Sequence, residues 1–241
     1  MSLNSYVIKA VGQKAWHGRR CFIIGGGPSL LSVDPARLSG ELLLGVNKAF
    51  QFCDVTLNYA MDVGFYDTLT NPEKIDKVQM ETARAWSAYA GIKVFLQINR
   101  KFKYTDNIYV VKRLLQLTIS RHVDAGIYAG DNSGFGAMML AVALGASPIY
   151  LLGFDMRVRI NDREMMVHDN EYANRGRTHW HEGYKNQKPR KLQIKLDQFK
   201  ETFEEMAPAL VKAGIEVVNL GPDSGLACFP FSNIDKVLTA Q

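Results

Sequence analysis

Apolar residues along the chain gather into short, nearly unbroken runs of four to six. These are Cys21–Ile24, Leu42–Val46, Val55–Tyr59, Lys93–Ile98, Ile108–Val111, Ile149–Leu152 and Glu216–Leu220. Their length and β-branched content predict strands, and the lack of alternation predicts burial on both faces. Helical periodicity fills intervals between them at Pro72–Tyr89, Phe135–Leu144 and Leu192–Ala213. Strands alternating with helices predict an α/β fold, Rossmann-like, with a mainly parallel sheet and helices on both faces. Asp34-Pro35 reads as a helix start, an acidic cap followed by proline at the first helical position. Pro148 opens a strand, where its missing N–H does least harm. No repeat, low-complexity tract or linker interrupts the pattern, so the 241 residues read as a single domain.

Residues 157–190 are the one long stretch without periodicity, and charge singles out the same region. From Arg157 to Lys195 there are ten Lys/Arg and five Asp/Glu, a local excess of +5 that equals the net charge of the whole chain. A long aperiodic run that is also basic predicts a lid over an anionic ligand. A small phosphate-bearing ligand is expected there rather than nucleic acid.

Composition adds boundaries. At 47% hydrophobic and 22% charged, the chain can bury an ordinary globular core. No apolar run approaches the ~20 residues of a membrane-spanning helix. Met1–Lys14 lacks the layout of a secretory signal, so a cytoplasmic protein is expected. Cys21, Cys53 and Cys228 are odd in number and lie far apart in apolar surroundings. They predict reduced, mostly buried thiols rather than disulfides or a zinc site. Oligomeric state is left open, a homo-oligomer included.

Five segments carry candidate chemistry. Cys21-Phe-Ile-Ile-Gly-Gly-Gly-Pro-Ser-Leu30 runs a buried strand into three glycines. Gly25, Gly26 and Gly27, with Pro28 and Ser29, would let the backbone approach a phosphate at the start of a helix, or would simply make a tight turn. The pattern is neither a dinucleotide fingerprint nor a Walker loop. Asn47 closes the second strand, where an amide can read a base or ribose, or cap a turn. In Gly130-Asp131-Asn132-Ser133-Gly134-Phe135-Gly136, Asn132 or Ser133 would cap the following helix and offer a second anion site. Gly134, Gly136, Ala137 and Ala141 would let that helix lie close to the sheet.

Asp155 ends the strand Ile149–Leu152 and Asp62 ends Val55–Tyr59, the edge where open α/β sheets bind ligands. The two acids could share a magnesium ion carrying phosphates, or serve as caps and surface ion pairs. In Thr178-His179-Trp180-His181-Glu182, no third ligand has a recognisable spacing, so no protein-bound metal is expected there. A general acid or base is the better reading, with His168 a weaker competitor in the same region.

Taken together, Gly-Gly-Gly-Pro-Ser-Leu at 25–30, Val-Asn-Lys at 46–48, Asp62, Asn-Ser-Gly at 132–134, Ala-Leu-Gly-Ala-Ser-Pro-Ile-Tyr-Leu-Leu-Gly-Phe-Asp at 143–155 and Asn-Leu-Gly-Pro-Asp-Ser at 219–224 resemble a known set of blocks in matching order. They are similar to the domain of unknown function that includes flagellin-glycosylating motif accessory factors and the 6-hydroxymethylpterin diphosphokinase. They also resemble the small bacterial α-2,3/2,8-sialyltransferases. The match runs from Arg20 to Pro230 in short blocks. The resemblance implies that Gly25–Ser29, Asn47, Ser133 and Gly134 hold a nucleotide, and that His179 is the general base in a lid; Asn132 and Asp62 are further candidates for nucleotide binding. Asp62, with Phe65 after it, resembles the domain of unknown function rather than the sialyltransferases.

The leading expectation is a glycosyltransferase using a nucleotide-activated sugar and an acceptor glycan or small molecule, with His179 and Asp155 at the reacting centre. The alternatives are a diphosphokinase with Asp62 and Asp155 organising magnesium and ATP, and a non-catalytic nucleotide- or glycan-binding module.

Overall fold

The computed structural model describes residues 6–70, 76–97, 108–160, 163–164, 179 and 189–239. Seven strands form the central sheet: β1 (Cys21–Ile24), β2 (Leu43–Val46), β3 (Leu57–Ala60), β4 (Ile92–Leu96), β5 (Ile108–Val111), β6 (Ile149–Leu152) and β7 (Val217–Asn219). Every pairing is parallel, and the order across the sheet is β7-β6-β1-β2-β3-β4-β5. From β1 the chain builds outward to β5, then returns to lay β6 against the other side of β1. The direction of winding therefore reverses between β1 and β6. At such a reversal the connections leave in opposite directions and open a crevice at the carboxyl ends of the strands. The register sets Ile24 of β1 beside both Gly45 of β2 and Leu152 of β6. The glycine run after β1 thus emerges level with Gly153-Phe154-Asp155.

Strand burial follows the sequence pattern. In β1, Cys21 and Ile23 face one core, whereas Phe22 and Ile24 face another. The first core is closed by α4 (Ser133–Leu144) and α5 (Pro189–Lys212), through residues such as Met138, Phe203 and Leu210. On the opposite face, two 3-10 turns (Pro28–Ser32 and Pro35–Leu38) and α6 (Ile234–Thr239) cover β1 and β6. There α2 (Val63–Thr70) and α3 (Lys77–Ala88) cover β3 to β5, with Tyr66, Leu69 and Trp86 around Phe95. A four-residue helix, α1 (Ile8–Val11), packs at the edge of the first core. Among the described residues no helix is long and apolar enough to cross a membrane.

Three expectations need correction. The pattern Pro72–Tyr89 predicts one helix, but α3 begins at Lys77, where Asp76 and Gln79 form a reciprocal capping box. Helix α2, which the apolar pattern did not reveal, starts instead at the Asp62 cap. The glycine run leads into a 3-10 turn rather than an α-helix. The turn begun at Pro28 ends at Ser32, with Val33 already extended at ψ 122°. Pro35 then bars a helical Asp34, since the residue before a proline is driven to extended backbone, and Asp34 has ψ 113°. Asp34 does cap the next turn, accepting from the Ala36 N–H at 3.0 Å, but that turn is also short.

Candidate functional site

A cleft of about 1100 Å³ lies along the carboxyl edge of the sheet. It is lined by residues from six singled-out places in the sequence: Gly25–Gly27, Asn47, Asp62, Asn132–Gly134, Asp155 and His179. Sequence-distant motifs meet here because parallel strands put all their carboxyl ends on one side. Pro28 and Ser29 do not line the cleft. Ser29 turns toward Asp155, giving its backbone N–H to Oδ2 at 2.9 Å and its hydroxyl to Oδ1.

The glycine run is packed against the chain itself. None of the three glycines needs a positive φ; Gly25 and Gly27 are required for space, and Gly26 faces a side chain. A Cβ on Gly25 would stand 2.6 Å from the Gly153 carbonyl oxygen. One on Gly27 would stand 2.5 Å from Asp155 Cγ and 2.7 Å from that same carbonyl. One on Gly26 would meet the imidazole of His179, 2.9 Å from Cδ2 and 3.6 Å from Nε2. His179 is thus half-buried over the middle glycine. Of the expected lid, 161–162, 165–178 and 180–188 lie outside the described residues, and with them His168, His181, Trp180 and the basic residues Arg175, Arg177, Lys185 and Lys188. Helix α5 begins within the expected lid at Pro189 and brings Lys195 to the cleft wall.

On the other side of the cleft, Asn132 caps α4, its Oδ1 accepting from the Phe135 N–H at 3.0 Å. Its Nδ2 is buried without a hydrogen-bond partner among the described residues. The small residues after it permit close approach: a Cβ on Gly134 would lie 2.8 Å from Phe154, and one on Gly136 would lie 2.5 Å from the Tyr59 hydroxyl. Asn47 holds a positive φ of 54°, a conformation asparagine tolerates better than most residues. Its carbonyl accepts from Asn58 Nδ2 at 2.8 Å, and its own Oδ1 is buried and unpartnered among the described residues. A buried amide oxygen and a buried amide N–H, both without partners, are open valences at the cleft wall.

Asp62 caps α2 by accepting from the Phe65 N–H at 2.8 Å. Asp62 thus uses one carboxylate oxygen in capping, and Asp155 holds Ser29 with both of its oxygens. No group of three or more metal-ligating side chains occurs among the described residues.

Three further cations line the cleft: Lys48 of the Val-Asn-Lys block, Arg157 at the start of the basic segment, and Arg113, which no sequence motif marks. Burial pushes the Lys48 ammonium below its usual range, against an opposing pull from Asp76. Arg113 pairs with Asp131 at 3.5 Å. Arg157 is two residues beyond strand-end Asp155.

No protein-family model and no curated protein matches the chain. Among solved structures, the MAf glycosyltransferase from Magnetospirillum magneticum AMB-1 aligns with a TM-score of 0.54 at 10% identity. The alignment takes in 91% of this chain and 34% of that one, so this chain spans about a third of its length. The chain shares its fold with that part of the glycosyltransferase. The sialyltransferase CstII from Campylobacter jejuni, solved with the substrate analogue CMP-3FNeuAc, aligns with a TM-score of 0.46 at 15% identity, over 88% of this chain and 85% of that one.

Proposed function

We propose that the chain is a glycosyltransferase that takes its sugar from a nucleotide-activated donor. The observation that carries the reading is His179 lying over Gly26 at the β1/β6 crevice. An imidazole, with an ordinary pKa of about 6.5, is suited to exchanging protons near neutrality. In this reading the nucleotide lies between the glycine run, Asn47 and the Asn132-Ser133-Gly134 turn. The acceptor hydroxyl attacks the anomeric carbon and gives its proton to a ring nitrogen of His179. The new C–O bond forms as the bond from that carbon to the donor phosphate breaks, and the nucleotide leaves as an anion. Lys48 and Arg157 stand at the cleft to meet its charge.

The test couples binding to turnover. A thermal-shift screen of nucleotides and nucleotide sugars should find the donor, because a ligand at 100-fold its dissociation constant stabilises by about 2.7 kcal/mol. With donor and acceptor in hand, His179→Ala should lower turnover ~10²- to 10⁴-fold while donor affinity changes little. Normal turnover without His179 would reject its role as base. Diphosphoryl transfer from magnesium–ATP, or binding with no turnover, would reject glycosyl transfer.

A further inference from the structure

The segment Asn-Leu-Gly-Pro-Asp-Ser at 219–224 supplies no residue to the cleft lining. It follows β7, and its side chains close a turn: Asn219 accepts from the Gly221 N–H and donates to the Leu226 carbonyl, both at 3.0 Å. The turn is then fastened to the end of β6. The Ser224 hydroxyl donates to the Phe154 carbonyl, and the Gly225 N–H donates to the Asp155 carbonyl at 2.7 Å. From the other side, Gln193 of α5 accepts from the Val158 N–H at 2.8 Å. Between these anchors Met156 is held at φ 49°, a left-handed conformation that a non-glycine residue keeps only when its surroundings impose it.

What this fastening sets in place is Arg157. Its side chain is 24% exposed and lines the cleft. Nη2 lies 3.7 Å from an oxygen of Asp223 in the same turn, beyond hydrogen-bond distance. Asp223 is 65% exposed, so this pair contributes little by itself. Nε is buried with no hydrogen-bond partner among the described residues. A buried cationic N–H without an acceptor is costly, and a guanidinium presents its donors as a fork matched to phosphate or carboxylate oxygens.

We infer that Arg157 is an anion-binding residue of the cleft, aimed by the 219–226 turn. Its ligand is the phosphate of the donor, an identity that rests on the function proposed above.

Inorganic pyrophosphate is the probe. It is titrated calorimetrically at low and high salt into the wild type, Arg157→Gln, Arg157→Lys and Asp223→Asn, with melting temperatures measured on each. Arg157→Gln should weaken binding roughly tenfold or more, since charge-assisted hydrogen bonds are lost, and should flatten the salt dependence. Arg157→Lys should recover part of the affinity as a point charge. Asp223→Asn removes a competing carboxylate and should bind pyrophosphate as tightly as the wild type or tighter. Unaltered binding by Arg157→Gln would overturn the inference. So would no pyrophosphate binding by the wild type, or equal losses in all three variants matched by lower melting temperatures. If Arg157→Gln loses pyrophosphate while no sugar transfer is found, the glycosyltransferase reading fails and the anion site stands. Transfer that survives with pyrophosphate affinity unaltered in Arg157→Gln fails only the anion site.

Discussion

The carboxylate of Asp155 accepts both the backbone N–H and the hydroxyl of Ser29, a residue 126 positions earlier in the chain. This joins the loop after β1 to the loop after β6 across the point where the winding of the sheet reverses. A carboxylate at the opening of a turn is well placed to take its N–H groups. Here that acceptor belongs to the protein itself.

Asp155→Ala should therefore lower stability by about 1.5–3 kcal/mol, the worth of hydrogen bonds to a charged acceptor. Ser29→Ala, which keeps the backbone N–H, should cost less. In urea unfolding the double variant should fall short of the sum of the two, because removing one partner already breaks the shared contact. Simple additivity would show that the two loops are not coupled through this pair.

The three glycines should separate into two classes. Gly25→Ala and Gly27→Ala press a methyl group against backbone at 2.6 and 2.7 Å, and overpacking of this kind costs about 1–3 kcal/mol. Gly26→Ala meets only the His179 ring, which can move aside. It should melt close to the wild type yet lose turnover. A large drop in melting temperature for Gly26→Ala would make the middle glycine a packing residue like its neighbours.

Stability should fall in alkali, and the thiols give the window. Burial raises Cys53 from 9.0 to about 12 and Cys228 from 9.0 to about 11, with nearby carboxylates adding to both. Burial also raises Cys21 and Tyr59. A raised folded pKa means that the contribution is fully present below the unfolded pKa, here pH 9, and is lost as pH rises through the folded values. Unfolding free energy measured from pH 8 to 11 should decline above about 9. The decline should be shallower in a Cys53→Ala, Cys228→Ala variant. An identical slope in that variant would mean that these thiols do not ionise on unfolding in this range.

Much of the site was legible in sequence because its parts fall where strands end. Unbroken apolar runs mark buried parallel strands, and such strands collect their carboxyl ends on one edge. Gly25–Gly27, Asn47, Asp62, Asn132 and Asp155 could thus be expected together before their distances were known. Helix α2 was hidden because Val63–Thr70 buries only Tyr66 and Leu69, too sparse a stripe to read as a period. Pro35 marks a stop in the sequence by barring a helical Asp34, but nothing local marks the extended Val33 that ends the turn first.

The roles within the site belong to the tertiary structure. Local pattern determines that a chain can form a strand, a turn or a cap, since those depend on neighbours a few positions away. Whether Asp155 faces a ligand or Ser29 depends on β6 lying beside β1, a pairing across more than a hundred residues. The same pairing turned two of the three glycines toward the Gly153 carbonyl and left the third to His179. The sequence alone determined the fold class and the edge where chemistry would gather. Only the packed structure decided which groups hold one another and which are left for a ligand, because hydrogen bonds and close contacts form between surfaces that folding brings together.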